Sequence, residues 1–192
     1  MQRIAIFASG TGTNTVRIIE YFKGHSSIGV SLVLSNKADA PVLEKARNLG
    51  IETFAFNRGK FYETNDVIEK LQAAKIDFVV LAGFLWKVPD NLLKAFPDRI
   101  INIHPALLPK FGGKGMYGMN VHRAVKESGE AETGISIHLV NEEYDKGRML
   151  FQAKCKVSAN DTPESIAAKV HALEYTNFPR QIELFIKSNE IA

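Results

Sequence analysis

Short apolar runs alternate with amphipathic segments along the first two thirds of the chain. Ile4-Ala5-Ile6-Phe7-Ala8 runs into a glycine turn, the pattern of a strand buried on both faces. Asn14–Lys23 follows with Val16, Ile19 and Phe22 at helical spacing, and Ser31–Ser35 reads as a second strand. Pro41–Leu49 predicts a helix with proline at its start and Gly50 just past its end. Thr53–Phe56 is a third strand. Asn65–Ala74 carries Val67, Ile68, Leu71 and Ala74 on one helical stripe, and Phe78–Leu81 and Arg99–His104 are further strands. This alternation predicts right-handed βαβ units: a Rossmann-like α/β fold, its mostly parallel sheet carrying helices on both faces.

After residue 130 the hydrophobic period changes to two. Ile135, Ile137 and Leu139 alternate with polar residues, as do Met149, Phe151, Ala153 and Cys155, which predicts an antiparallel extension near the C-terminus. The last helix opens at Asp161-Thr162-Pro163-Glu164, with Ile166, Val170 and Leu173 as its buried stripe. Pro179 is expected to break or kink it before Ile182–Ile186. No repeat or linker interrupts the pattern, so residues 1–192 read as a single domain.

Composition narrows the picture. With 45% hydrophobic and 23% charged residues, the chain is that of a folded globular protein. The single cysteine, Cys155, excludes an intramolecular disulfide, and dispersed histidines indicate no metal site. The longest apolar runs fall far short of the ~20 residues of a membrane span. No long apolar segment precedes the first glycine turn, so a cytoplasmic protein is expected. The net charge of +3 comes from basic residues scattered singly among acids, which points away from nucleic acid and is compatible with a small anionic substrate.

Three stretches carry candidate chemistry. The turn Ser9-Gly10-Thr11-Gly12-Thr13-Asn14 opens a helix whose N-terminal amides and dipole suit an anion, with Thr13 and Asn14 adding donors. It lacks the Gly-Lys-Ser/Thr of a nucleotide phosphate loop. It also has Thr15 where a dinucleotide fingerprint needs its third glycine, so a phosphate monoester fits better. In Asn102-Ile103-His104-Pro105-Ala106-Leu107-Leu108-Pro109, residues two apart on a strand share a face. Asn102 and His104 therefore align at a strand's C-terminal end, where open parallel sheets bind ligands. An amide donor beside an imidazole suits a carbonyl reaction. The third stretch, Asn141-Glu142-Glu143-Tyr144-Asp145-Lys146-Gly147, joins the two late strands. Read alone it is a solvated acidic turn; brought beside His104, Asp145 would favour a charged imidazole.

Taken in order, Ile4–Asn14, Asn36–Ala40, Leu81–Phe84, Asn102–Pro109 and Tyr144–Gly147 resemble the phosphoribosylglycinamide formyltransferase family, from about residue 3 to about 186. The resemblance implies transfer of a formyl group from 10-formyltetrahydrofolate to the amine of 5-phosphoribosylglycinamide in purine biosynthesis, through a tetrahedral intermediate and without metal. It implies Asn102, His104 and Asp145 as the catalytic residues. Gly12, Thr13 and Asn14 would hold the phosphate, Glu174 the ribose, and His171, one helical turn earlier, can face the same substrate. Leu85, Trp86, Lys87 and Val88, with Asn102 and Asn141, Glu142, Glu143, Tyr144 and Asp145, would embrace the pterin. A monomer or homodimer is the expected state.

Departures from the family pattern bear on the folate contacts. Trp86 stands where arginine is common, and Arg58 and Lys60 are both candidates for the folate's acidic tail. The segment Lys110–Asn120 is longer than in many members; its glycines read either as a lid, with Lys114 an anion contact, or as a surface loop. His138 lies on the strand face opposite Ile137, where structural packing and support of the site are both open. His122 belongs to the helix after the glycine loop, and His25 to a polar surface turn. Rival readings are a formyltetrahydrofolate hydrolase, a methionyl-tRNA formyltransferase and a non-catalytic phosphosugar-binding module. The first two are disfavoured because the catalytic pattern starts at residue 3 and the chain ends near the last core helix.

Overall fold

The computed structural model describes residues 1–190. The elements run β1 (Gln2–Phe7), α1 (Thr13–Phe22), β2 (Ile28–Ser35), α2 (Pro41–Asn48), β3 (Glu52–Ala55), α3 (Arg58–Tyr62), α4 (Asp66–Ala73), β4 (Phe78–Leu81), α5 (Asp90–Ala95), β5 (Ile100–His104), α6 (Met119–Ser128), β6 (Glu132–Leu139), β7 (Met149–Lys156) and α7 (Pro163–Glu190). The strands form one sheet in the order β3-β2-β1-β4-β5-β6-β7. Strands β1 to β5 pair in parallel, and β6 and β7 are antiparallel, as the change of period predicts.

Because β1 to β5 are covered on both faces, their side chains split between two cores. Ile4, Ile6, Ile101 and Ile103 pack with residues of α1, α2, α6 and α7. Ala5, Phe7, Val79 and Ile100 pack with residues of α3, α4 and α5 on the other side. The chain changes faces between β1 and β4, which lie side by side. That is the switch point of an open α/β sheet, where the loops leaving the strand ends diverge and leave a crevice. Here the two loops are tied together: Ser9 N donates to Gly83 O at 3.1 Å and Leu85 N to Ser9 Oγ at 3.1 Å.

One expectation, a break at Pro179, needs correction, and two short helices had no counterpart in the hydrophobic pattern. Helix α7 continues through Pro179 to Glu190 instead of breaking there. Proline inside a helix costs about 3 kcal/mol. Burial of Phe178, Ile182, Phe185 and Ile186 around and beyond it offsets that, at about 1.5–3 kcal/mol for each such side chain. The short helices α3 and α5 were not expected at all, since five and six residues are too few to display a helical period.

Candidate active site

The sheet brings the second and third sequence stretches together. Asn102 pairs with His138, and His104 with Ser136, across β5 and β6, so all four project from the face opposite Ile103 and Ile137. Next to His138 the β6–β7 register slips by one residue, passing over Leu150. Such a bulge bends the strand and re-aims neighbouring side chains. Beyond it the β6–β7 loop returns Asp145 to the end of β5. Asp145 adopts a left-handed conformation, with φ 55°.

His104 is buried, and its Nδ1 lies 3.6 Å from Asp145 Oδ2. Its Nε2 lies 2.7 Å from the carbonyl oxygen of Phe111. A carbonyl can only accept, so the ring proton sits on Nε2, and in a neutral ring Nδ1 is the bare nitrogen facing Asp145. Burial lowers the His104 pKa below the ordinary imidazole value, against the opposing pull of the Asp145 carboxylate and the Phe111 carbonyl. Burial also disfavours charge on Asp145. The Gly113 N–H, which donates to Oδ2 at 2.8 Å, favours it, and the carboxyl is held below the usual range. The site thus pairs a carboxylate with an imidazole kept ready to accept a proton.

The His104–Pro109 brace is anchored from β6 and β7. Ser136 Oγ donates to Ala106 O and accepts from Leu108 N, while Gln152 Nε2 donates to Leu108 O at 3.0 Å. This network holds the chain that leaves His104 against the sheet.

A cavity of about 730 Å³ connects these residues with the first stretch. Gly12 precedes α1 in a left-handed conformation, φ 72°, and no side chain caps the helix. Its first N–H groups are therefore open to a ligand. A Cβ on Gly12 would come within 2.3 Å of Val42 Cγ2, so the turn accommodates only glycine. Asn14 Nδ2 donates to Glu174 Oε2 at 2.9 Å, tying α1 to α7, and burial raises the Glu174 pKa. His171 lies beside them on α7.

Most of the expected site residues line this cavity: Gly12, Thr13, Asn14, His171 and Glu174, and Leu85, Trp86, Lys87 and Val88. Asn102, His104, Asn141, Glu143, Tyr144 and Asp145 also contribute to its wall, whereas Glu142 does not. Trp86 joins a cluster of Phe56, Phe61, Tyr62 and Phe84. The Arg58 guanidinium stacks over Tyr62 and Trp86 at 5.2 and 5.4 Å. Lys60 turns instead to Asp66, 3.6 Å away. In the segment Lys110–Asn120, Phe111 and Gly113 contact the catalytic pair, and Lys114 lines the cavity.

Sequence reasoning assigned no role to Lys37 or His122, both of which line the cavity. His122 is buried, its Nδ1 has no hydrogen-bond partner, and its ring meets His171 edge-on at 6.2 Å. Burial, reinforced by His171 and His104, pushes its pKa from 6.5 down to about 4. The unfolded chain therefore binds more protons than the folded one between those values, and stability falls as pH is lowered through that window. The urea midpoint is expected to drop between pH 7 and pH 5, and the drop to shrink in His122→Leu. An equally steep drop in the variant would exclude His122 as a source.

A formyl transferase family profile matches residues 2–182. Phosphoribosylglycinamide formyltransferase of Escherichia coli is 37% identical over 188 residues, 95% of this chain and 86% of that protein. The chloroplastic phosphoribosylglycinamide formyltransferase of Arabidopsis thaliana is 46% identical over 175 residues, 88% of this chain. The chain spans only 60% of the length of that plant relative. Among solved structures, glycinamide ribonucleotide transformylase 1 of Symbiobacterium toebii superposes with a TM-score of 0.89 at 34% identity, covering 98% of this chain and 89% of that one. The chain belongs to the formyl transferase family, within the group that comprises the phosphoribosylglycinamide formyltransferases.

Proposed function

We propose that the protein, acting as a single catalytic domain, transfers a formyl group from 10-formyltetrahydrofolate to the amine of 5-phosphoribosylglycinamide. The observation that carries this reading is one cavity whose wall holds both a helix N-terminus open to a phosphate and Asn102, His104 and Asp145. The relatives' names point to the same acceptor and to formyl transfer. The phosphate docks on the amides after Gly12, with Thr13 and Asn14, and the Glu174 carboxylate accepts from the ribose hydroxyls. The pterin lies along Leu85–Val88 and the β6–β7 loop. Arg58 receives the folate's acidic tail, because it stacks on Trp86, which lines the cavity, while Lys60 is engaged with Asp66.

The amine attacks the formyl carbon, forming a C–N bond and placing negative charge on the formyl oxygen. An Asn102 N–H stabilises that oxyanion. His104 Nδ1 takes the proton shed by the attacking nitrogen, and the imidazolium so formed pairs with Asp145. Collapse breaks the bond to the folate nitrogen, which recovers the proton and leaves as tetrahydrofolate. The segment Lys110–Asn120 covers the catalytic pair as a lid.

The test is amine dependence. Tetrahydrofolate is expected to appear only when glycinamide ribonucleotide is present, in equal amount with the formylated amide detected by mass spectrometry. Formate release without the amine would replace the transferase by a hydrolase.

A further inference from the structure

His138 is not among the residues to which the proposed reaction assigns a role, yet it is buried in the cavity wall between two that have one. Its Nδ1 lies 2.7 Å from the carbonyl oxygen of Leu139. Its Nε2 lies 3.1 Å from Asn102 Nδ2 and 3.5 Å from Asp145 Oδ1. The Leu139 carbonyl can only accept, so Nδ1 carries a proton. A ring with one proton is then bare at Nε2 and can only accept there. The group facing it at hydrogen-bond distance is the Asn102 amide nitrogen, which donates.

We propose that His138 is a positioning residue for Asn102: the Leu139 carbonyl fixes the ring's proton, and the bare Nε2 fixes which way the Asn102 amide is turned. One amide hydrogen is consumed by His138. The other remains on the nitrogen for the formyl oxygen, while a turned amide would set its own oxygen against the imidazole lone pair. The charged and titratable neighbours of Nε2 are Asp145 on the β6–β7 loop and His104 on β5.

The inference rests on the proposed transfer reaction for its kinetic consequence but not for its proton assignment. In 15N-histidine-labelled protein at neutral pH, two-bond proton–nitrogen spectra show which ring nitrogen of His138 is protonated, with the signal assigned by its loss in His138→Gln. The proton is expected on Nδ1 alone; a proton on Nε2 overturns the proposal whether or not the chain turns over substrate. In kinetics, His138→Leu is expected to lower kcat at least about tenfold with KM little changed, part of the effect of losing one oxyanion donor. His138→Gln, whose amide oxygen can accept in place of Nε2, is expected to restore most of it. In an Asn102→Ala background His138→Leu should cost nothing further, because the two act as one unit. Full additivity of the two losses, or no loss in His138→Leu, would show that His138 does not act through Asn102.

Discussion

Replacing His104 by alanine is expected to lower kcat by about 10²–10⁴-fold, the usual contribution of a positioned proton-transfer group. The ring is held at Nε2 by the Phe111 carbonyl and its Nδ1 faces the Asp145 carboxylate at 3.6 Å; His138 also faces Asp145, but its Nε2 is taken up by Asn102. The same geometry sets the pH dependence. Burial, the largest influence, places the His104 pKa below 6.5, so the neutral base is the larger fraction at that pH and grows above it. The acid limb of activity should therefore be centred below pH 6.5, as the free ring takes up the proton it is meant to receive from the amine. Initial rates from pH 5 to 8 test both points. Undiminished turnover in His104→Ala, or an acid limb centred above 6.5, would remove His104 as the base.

Gly147→Ala is expected to damage stability and catalysis together. A Cβ at Gly147 would lie 1.7 Å from the carbonyl oxygen of Leu139 and 3.4 Å from His138 Nδ1. That oxygen is main chain, so relief requires β6 and the start of the β6–β7 loop to part. Both hydrogen bonds of Leu139 are at stake: its carbonyl accepts from His138 Nδ1 at 2.7 Å, and its N–H donates to Arg148 O at 2.9 Å. Overpacking of this kind costs about 1–3 kcal/mol, and the broken pairs add to it. A urea midpoint equal to that of the unmodified chain would show that the strand yields without strain. With the midpoint lowered, kcat should also fall at saturating substrate, because the movement carries the ring that holds Asn102 and the loop that delivers Asp145.

The parts of the site visible in the sequence are those whose geometry is local. Asn102 and His104 are two apart on a strand, and period two is enough to put them on one face. The turn from Ser9 to Asn14 announces an open helix N-terminus through its glycines. His138 was legible as a face and not as a role: its alternation with Ile137 was plain, but its partners come from β5 and from the loop ending at Gly147. Arg58 and Lys60 looked alike for a similar reason. Both lie on a helix of five residues, and only the aromatic wall reached by Arg58 and the Asp66 met by Lys60 separate them.

Hydrophobic periodicity alone determined the order and type of most elements, the switch from parallel to antiparallel pairing, and the two local motifs, because burial acts on every residue through its nearest neighbours in the chain. Tertiary structure decided everything that depends on partners far apart in sequence. The pairing of β5 with β6 and the return of the β6–β7 loop bring Asp145 to His104 across 40 intervening positions, and the packing of α7 keeps a proline inside a helix. Electrostatic coupling and hydrogen bonding act over a few ångströms of space regardless of separation along the chain, so no reading of spacing could assign them.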